Sequence, residues 1–218
     1  MFPERHTRTD RGRQDRERAV SVADEIETKF AVAAFEPIRR ALLLAGGRFL
    51  SRRFEENVVL DTPGAALRRQ DILLRLRRDA SGKVTLKLPA KAPDGSALKM
   101  RRELETEVAD LGALEAIFGH LGYRPFLRYE KVRETWRVDA ALVCLDELPF
   151  GLFLEIEGPG EAIPVVAGRL GLSMARAMPQ TYHELFQTHL ENHGLPPADS
   201  FVFTPEARLE ILANLAKA

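Results

Sequence analysis

The sequence predicts an α+β protein, a largely antiparallel sheet or barrel of about eight strands with helical cover clustered late in the chain. Three observations predict it. From residue 24, apolar and polar side chains alternate in run after run, the period of a half-buried strand. Most runs are joined by short turns, Thr62-Pro63-Gly64, Ser81-Gly82, Pro93-Asp94-Gly95 and Pro149-Phe150-Gly151, which suit antiparallel neighbours rather than crossovers. From residue 161 the apolar spacing lengthens to that of helices.

The elements follow in order. A strand is expected over 24–32. Glu36 to Ala45 has helical spacing through Ile38, Leu42 and Ala45, and stops at Gly46-Gly47. Strands are expected at 48–61, 71–79, 83–89, 97–108, 123–139, 141–148 and 151–157. A short helix over 111–121, ending near Gly122, separates the fifth strand from the sixth. Helices are expected at 162–171, 180–190 and 205–217. No repeat or linker interrupts 23–218, so it reads as one domain with one core. Residues 1–22 carry six arginines, four acids and almost no large apolar side chains. That segment cannot offset its ordering entropy by burial and is expected to be a disordered tail.

Lysine plus arginine and aspartate plus glutamate both total 32, so the formal net charge is zero. This gives no general attraction to nucleic acid or to an anionic membrane, and neither is expected as a partner. The single cysteine, Cys144, excludes an intramolecular disulfide and sits in an apolar run, where a buried, inert thiol is expected. No apolar run approaches the roughly 20 residues of a membrane span, and the N-terminus lacks an apolar signal core. A cytoplasmic location is expected. The oligomeric state is not legible.

The polar face of the strands is charged almost throughout. Glu25, Glu27 and Lys29 share one face; so do Arg75 and Arg77; Lys83, Thr85 and Lys87; and Arg101, Glu103, Glu105 and Glu107. Lys131, Arg133, Thr135 and Arg137 share the next, followed by Asp146 and then Glu155 and Glu157. Two architectures fit. An open sheet packs its apolar face on helices and shows the charged face to water. A closed barrel turns the charged face inward, which is costly unless the charges pair or meet a ligand. Inside a barrel, Lys29, Arg75, Arg77, Lys87, Arg101, Lys131 and Arg133 could surround phosphate oxygens. Glu25, Glu27, Asp146, Glu155 and Glu157 offer hard oxygen ligands for a divalent cation. Periodicity alone does not choose between the two.

The same residues carry a resemblance. Glu25-x-Glu27-x-Lys29 resembles the opening ExExK motif of the CYTH family, the triphosphate tunnel metalloenzymes. Asp61-Thr62-Pro63 with Leu67 resembles its DTP turn, Leu74-Arg75-Leu76-Arg77 its LRIR strand, and Thr85-Leu86-Lys87 its TLK strand. Arg101-x-Glu103-x-Glu105, Lys131-Val132-Arg133, Leu145-Asp146, Phe153-Leu154-Glu155-Ile156-Glu157 and Thr181-Tyr182 continue the match in order to about residue 190. The ordered set is specific where each motif alone is weak.

The resemblance implies an eight-stranded antiparallel β-barrel, a triphosphate tunnel with peripheral helices. It implies Mg²⁺ or Mn²⁺ held by Glu25, Glu27 and Glu157, with Glu155. It implies phosphate contacts from Lys29, Arg75, Arg77, Lys87, Arg101, Lys131 and Arg133, with Lys29 catalytic. Asp146 and the Glu103–Glu105 pair are implied to bind metal or to orient the basic groups. The expected activity is metal-dependent hydrolysis of a small-molecule triphosphate, inorganic or nucleoside. The alternative is a class IV adenylyl cyclase making cyclic AMP and pyrophosphate from ATP. A non-catalytic polyphosphate binder is a third reading, against which the metal acids argue, because binding alone needs only the cations. One departure stands out. Several triphosphatases of the family carry a tyrosine just before the DTP turn; here the segment is Asn57-Val58-Val59-Leu60. No adenine-reading element is recognisable, and without HExxH or paired cysteines no zinc site is expected.

Overall fold

The structure is a computed structural model that describes residues 21–90 and 98–217. Of the segment expected to be a disordered tail, residues 1–20 lie outside the described residues, and Ser21 and Val22 begin the first strand. The strands are β1 (Ser21–Val32), β2 (Arg48–Asp61), β3 (Leu73–Arg78), β4 (Gly82–Pro89), β5 (Lys99–Val108), β6 (Arg124–Val138), β7 (Ala141–Leu148) and β8 (Gly151–Glu157). The helices are α1 (Glu36–Leu44), α2 (Leu111–His120), α3 (Ala162–Arg169), α4 (Tyr182–Asn192) and α5 (Pro205–Leu215).

The eight strands form one closed antiparallel barrel in the order β1-β5-β4-β3-β2-β6-β7-β8, with β1 paired to both β5 and β8. Closure removes the sheet edges that an open sheet must protect. It also decides the question that alternation left open, because the charged face is the inner one.

The outer face meets the helices. α1 and α3 bring Ile38, Leu42, Ile163, Val166 and Ala167 onto Phe30, Trp136, Val143, Leu145, Leu154 and Ile156. Leu111 and its neighbours on α2 cover Leu60, Leu74 and Leu76. Burying side chains of this size is worth roughly 1.5–3 kcal/mol each, which makes this apolar shell the main opponent of chain entropy. α1 stops where Gly46 takes a φ of 74°, a left-handed turn that suits glycine. The Thr181–Glu184 capping box starts α4.

Several boundaries differ from the sequence reading by one to three residues, as where β1 begins at Ser21 rather than 24 and α4 spans Tyr182–Asn192 rather than 180–190. β3 begins at Leu73 rather than 71, because residues 68–70 form a 3₁₀ turn closed by Asp71 at φ 56°. Asp61 organises that loop: its buried carboxylate accepts hydrogen bonds from the backbone N–H of Thr62 (2.7 Å), Leu67 (2.9 Å) and Arg68 (3.2 Å). Cys144 is buried as expected, and burial pushes its thiol up to about 12. No described helix is long and apolar enough to cross a membrane.

At one end the barrel wall opens along two seams, and the C-terminal part of the chain closes both. β6 pairs with β2 from end to end but with β7 only from Val132 onward. Along the free edge of its first half, Phe201 bridges Tyr129 in parallel. Beyond Glu27, β1 has lost β5, and Met178 bridges Lys29 there. Phe186 and Leu190 of α4 join Phe201, Tyr129, Leu127, Val59 and Phe153 in an apolar cluster at this end.

Candidate active site

A cavity of about 550 Å³ lies inside the barrel, lined from every one of the eight strands and from the start of α4. All the basic residues singled out in the sequence reach it: Lys29, Arg75, Arg77, Lys87, Arg101, Lys131 and Arg133. So do Glu25, Glu27, Glu155 and Glu157. Asp146 does not line it; it is fully buried in the wall behind.

The acids fall into two sets. Asp146 accepts hydrogen bonds from Lys131 Nζ (3.0 Å), Arg133 Nε (2.7 Å) and the Tyr182 hydroxyl (2.7 Å). Glu155 pairs with Lys29 Nζ at 2.8 Å and with the Arg133 guanidinium. Burial opposes the charge on Glu155, yet Lys29 and Arg133 hold its carboxyl well below the usual carboxylate range. The structure thus commits oxygens of Asp146, for which metal binding and orientation of the basic groups both stood open, and of Glu155, for which the resemblance implied metal, to protein cations. They orient the basic groups.

Glu27 and Glu157 are direct cross-strand partners, and among the described residues neither forms an ion pair. Burial first, then Glu25 and Glu27, push Glu157 up to about 7. Glu25 meets Lys87, which also bonds Glu103 at 2.7 Å. Like charges facing across a strand pair repel, and these are hard oxygen donors. Mg²⁺ or Mn²⁺ fits them by charge and by donor type. Among the described residues no three metal-ligating side chains already close on one point. That suits an ion bound jointly by these carboxylates and substrate oxygens rather than by a preformed protein cage.

The basic groups are held but not spent. Lys29 is buried, which disfavours its charge, yet Glu155 and Glu27 keep its ammonium above the ordinary value; its Nζ stands 4.5 Å from the Tyr182 ring. Arg75 donates through Nη1 to the Tyr129 hydroxyl (3.2 Å) and through Nη2 to Thr85 Oγ1 (3.4 Å). Arg77 donates to Glu105 at 3.0 Å. The Nε atoms of both arginines are buried and have no hydrogen-bond partner among the described residues. Arg101 also lines the cavity and bonds Asp71. An anion in the cavity would find donors in place.

The sequence pattern of the CYTH domain matches residues 23–182. The chain belongs to the CYTH family. Its curated relatives include the "Putative adenylate cyclase" of Methanocaldococcus jannaschii, 27% identical over 135 residues, 61% of this chain and 75% of that one. A solved Pyrococcus horikoshii protein superposes with a TM-score of 0.64 at 28% identity, covering 74% of this chain and 98% of that one. A Hippeastrum protein, described as a "putative adenylyl cyclase" that reveals a dominant triphosphatase activity, superposes with a TM-score of 0.54. It covers 79% of this chain and 97% of its own at 18% identity, a likeness of fold.

Several residues of this CYTH barrel escaped the sequence reading. Glu55 is buried in the wall, 3.7 Å from Lys131 and 3.8 Å from Arg77. Burial opposes its charge, but Lys131, Arg133 and Arg77 bring its pKa down to about 2. Its signal was available, because Glu55 shares parity with Asn57 on β2, next to positions already examined for their turn. Lys99 lines the cavity two positions before Arg101 and was reachable the same way. Tyr129 stands two positions before Lys131 on the same face. Phe201 had no signal, since only the folded chain brings it to the tunnel.

Proposed function

We propose that this chain hydrolyses a phosphoanhydride of a small-molecule triphosphate, inorganic or nucleoside, inside its barrel, with Mg²⁺ or Mn²⁺ as cofactor. The observation that carries this reading is the cavity. Lysines and arginines from β1, β3, β4, β5 and β6 converge on it, beside carboxylates that face one another. A polyanion with a divalent cation complements both halves.

Phosphoryl transfer asks a protein mainly for positioning and charge stabilisation. Arg75, Arg77, Lys87, Lys131 and Arg133 are placed to hold non-bridging phosphate oxygens. Lys29, buried and kept charged by Glu155, is the group to stabilise charge on the transferring phosphoryl. Glu25, Glu27 and Glu157 would hold the cation, which neutralises charge on phosphate oxygens when bound. Asp146 and Glu155 fix the directions of Lys131, Arg133 and Lys29, so that little reorganisation accompanies the reaction.

The second reading is a class IV adenylyl cyclase. It draws on the name of the Methanocaldococcus relative and on Ile72, Leu73, Phe126 and Leu127, which give one end of the cavity an apolar lining against which a base could rest. The Hippeastrum protein, a "putative adenylyl cyclase" by name, is described as having a dominant triphosphatase activity, which favours the hydrolytic reading. A pure binder is disfavoured by the facing acids, which repel an anion unless a cation joins them. Incubation with ATP and with inorganic triphosphate, each with Mg²⁺ or Mn²⁺, tests these readings by product. ADP and phosphate support hydrolysis. Cyclic AMP and pyrophosphate replace it with cyclisation, and binding without product leaves the binder.

A further inference from the structure

The edge of β6 that faces no strand is closed by a segment beyond the part of the chain that matches the family. Phe201 N–H donates to Arg128 O (3.0 Å) and Phe201 O accepts from Glu130 N–H (3.1 Å). Ser200 Oγ accepts from Arg128 N–H (2.9 Å). This bridge puts the Phe201 and Tyr129 rings on the same side of the sheet, stacked with centroids 5.2 Å apart and planes 26° apart. Phe201 also packs on Phe186 at 5.0 Å and on Phe150 at 5.3 Å, and it is 3% exposed. The segment is anchored again just after: Glu130 accepts from Phe203 N–H (3.1 Å), and Arg208 of α5 bonds Glu130 and Glu56.

Tyr129 is the link to the chemistry. Its hydroxyl accepts from Arg75, the guanidinium whose Nε has no partner among the described residues and whose side chain lines the cavity. A phenol on a two-bond side chain stays in place only if its ring is packed, and one face of this ring is covered by Phe201. We propose that Phe201 is a positioning residue for the phosphate grip, holding Tyr129 so that Tyr129 aims Arg75 at the substrate. The inference rests on the proposed function, since it takes Arg75 to bind triphosphate. It makes the C-terminal segment part of the binding site rather than outer cover, and gives this chain a determinant outside the family-matched region. It also accounts for the two apolar groups, Val59 and Leu127, that flank the tyrosine and leave its hydroxyl one charged partner in the tunnel.

The test measures, by calorimetry on the full chain, the dissociation constant of a non-hydrolysable imidotriphosphate with Mg²⁺. The variants are Tyr129→Phe, Phe201→Leu, Phe201→Tyr and the Tyr129→Phe/Phe201→Leu pair. Loss of a hydrogen bond to a charged group predicts a weakening of about tenfold for Tyr129→Phe. Phe201→Leu keeps apolar bulk but not the planar stack and is expected to weaken binding by a similar factor, while Phe201→Tyr keeps the stack and retains wild-type affinity. The pair is expected to bind no worse than Phe201→Leu alone, because both changes cut the same chain of contacts. Multiplicative losses in the pair, or Phe201→Leu that lowers the melting temperature at unchanged affinity, overturn the inference while leaving the proposed function standing. A wild-type chain that does not bind the imidotriphosphate overturns the proposed function and this inference with it.

Discussion

On the wall made by β6, β7, β8 and the second half of β1, the buried acids Asp146 and Glu155 each meet cations. Asp146 holds Lys131 and Arg133, and Glu155 holds Lys29 and Arg133. Where the first half of β1 meets the end of β8, Glu27 faces Glu157 across the strands and Glu25 adds its charge from the next inward position. Both regions follow one alternating pattern and use the same side chains. They differ in how charge is settled. The first is self-contained and works as scaffold; in the second Lys99 faces Glu27 and Lys87 meets Glu25, but Glu157 has no ion pair among the described residues and is pushed up by burial and its acidic neighbours, which suits an exogenous cation. Parity along a strand assigns a residue to the interior, and only the cross-strand partner assigns it a task.

The largest effect that tests this difference comes from Asp146. Asp146→Asn leaves buried Lys131 and half-buried Arg133 with their main counter-charge gone. Breaking a buried pair from one side costs about 3–5 kcal/mol. Urea denaturation of the variant is expected to show a loss of that size. A loss below about 1 kcal/mol, the usual range for surface changes, would mean that Asp146 is not the anchor of this wall.

Glu55 sharpens the same point through pH. Its folded pKa is about 2, below the usual carboxylate value near 4.5. A depressed value means that the folded state prefers the charged form. The stabilisation is therefore complete above about pH 5 and fades as pH falls toward 2. A shift of this size corresponds to about 3 kcal/mol. The stability gap between wild type and Glu55→Gln is expected to be widest near neutral pH and to narrow on acidification. A gap that stays constant from pH 6 to pH 3 would remove Glu55 from the charge network.

These two residues also show how much could be read from sequence. Strand number, strand order along the chain and the inward set were legible, because alternation and turn residues are local and the CYTH motifs fall on strands. Asp146 was found but given an open role, since its partners Lys131 and Arg133 sit on another strand and Tyr182 comes from a distant helix. Closure of the sheet could not be read from period alone, because an inward and a water-facing charged face have the same spacing. Phe201 was invisible for a different reason: one bridge to Tyr129 from a loop leaves no periodic trace.

On the repelling side, a divalent cation is expected to stabilise the fold. A ligand present at a hundred times its dissociation constant adds about 2.7 kcal/mol. Mg²⁺ or Mn²⁺ is therefore expected to raise the melting temperature of the wild type with the logarithm of its concentration above the dissociation constant, and to do so far less for Glu157→Gln. Equal shifts in both proteins would place the cation elsewhere.

The smallest effect has the opposite sign to the first. Glu27→Gln keeps the shape of the side chain and removes one of two facing charges. Directly opposed like charges on an antiparallel pair are unfavourable by a few tenths to about 1 kcal/mol. In metal-free buffer with a chelator, the variant is expected to gain at most that amount over wild type in urea denaturation, because Glu27 also attracts Lys29 and Lys99. With metal and triphosphate, its turnover is expected to fall by about a hundredfold or more, the scale of losing one charged contact to a transition state. The two results belong together, because a residue that destabilises the empty fold and is needed by the reaction is held in place for the ligand rather than for the barrel. A Glu27→Gln protein that is less stable without metal would instead put Glu27 among the scaffold acids, beside Asp146, and erase the distinction between the two walls.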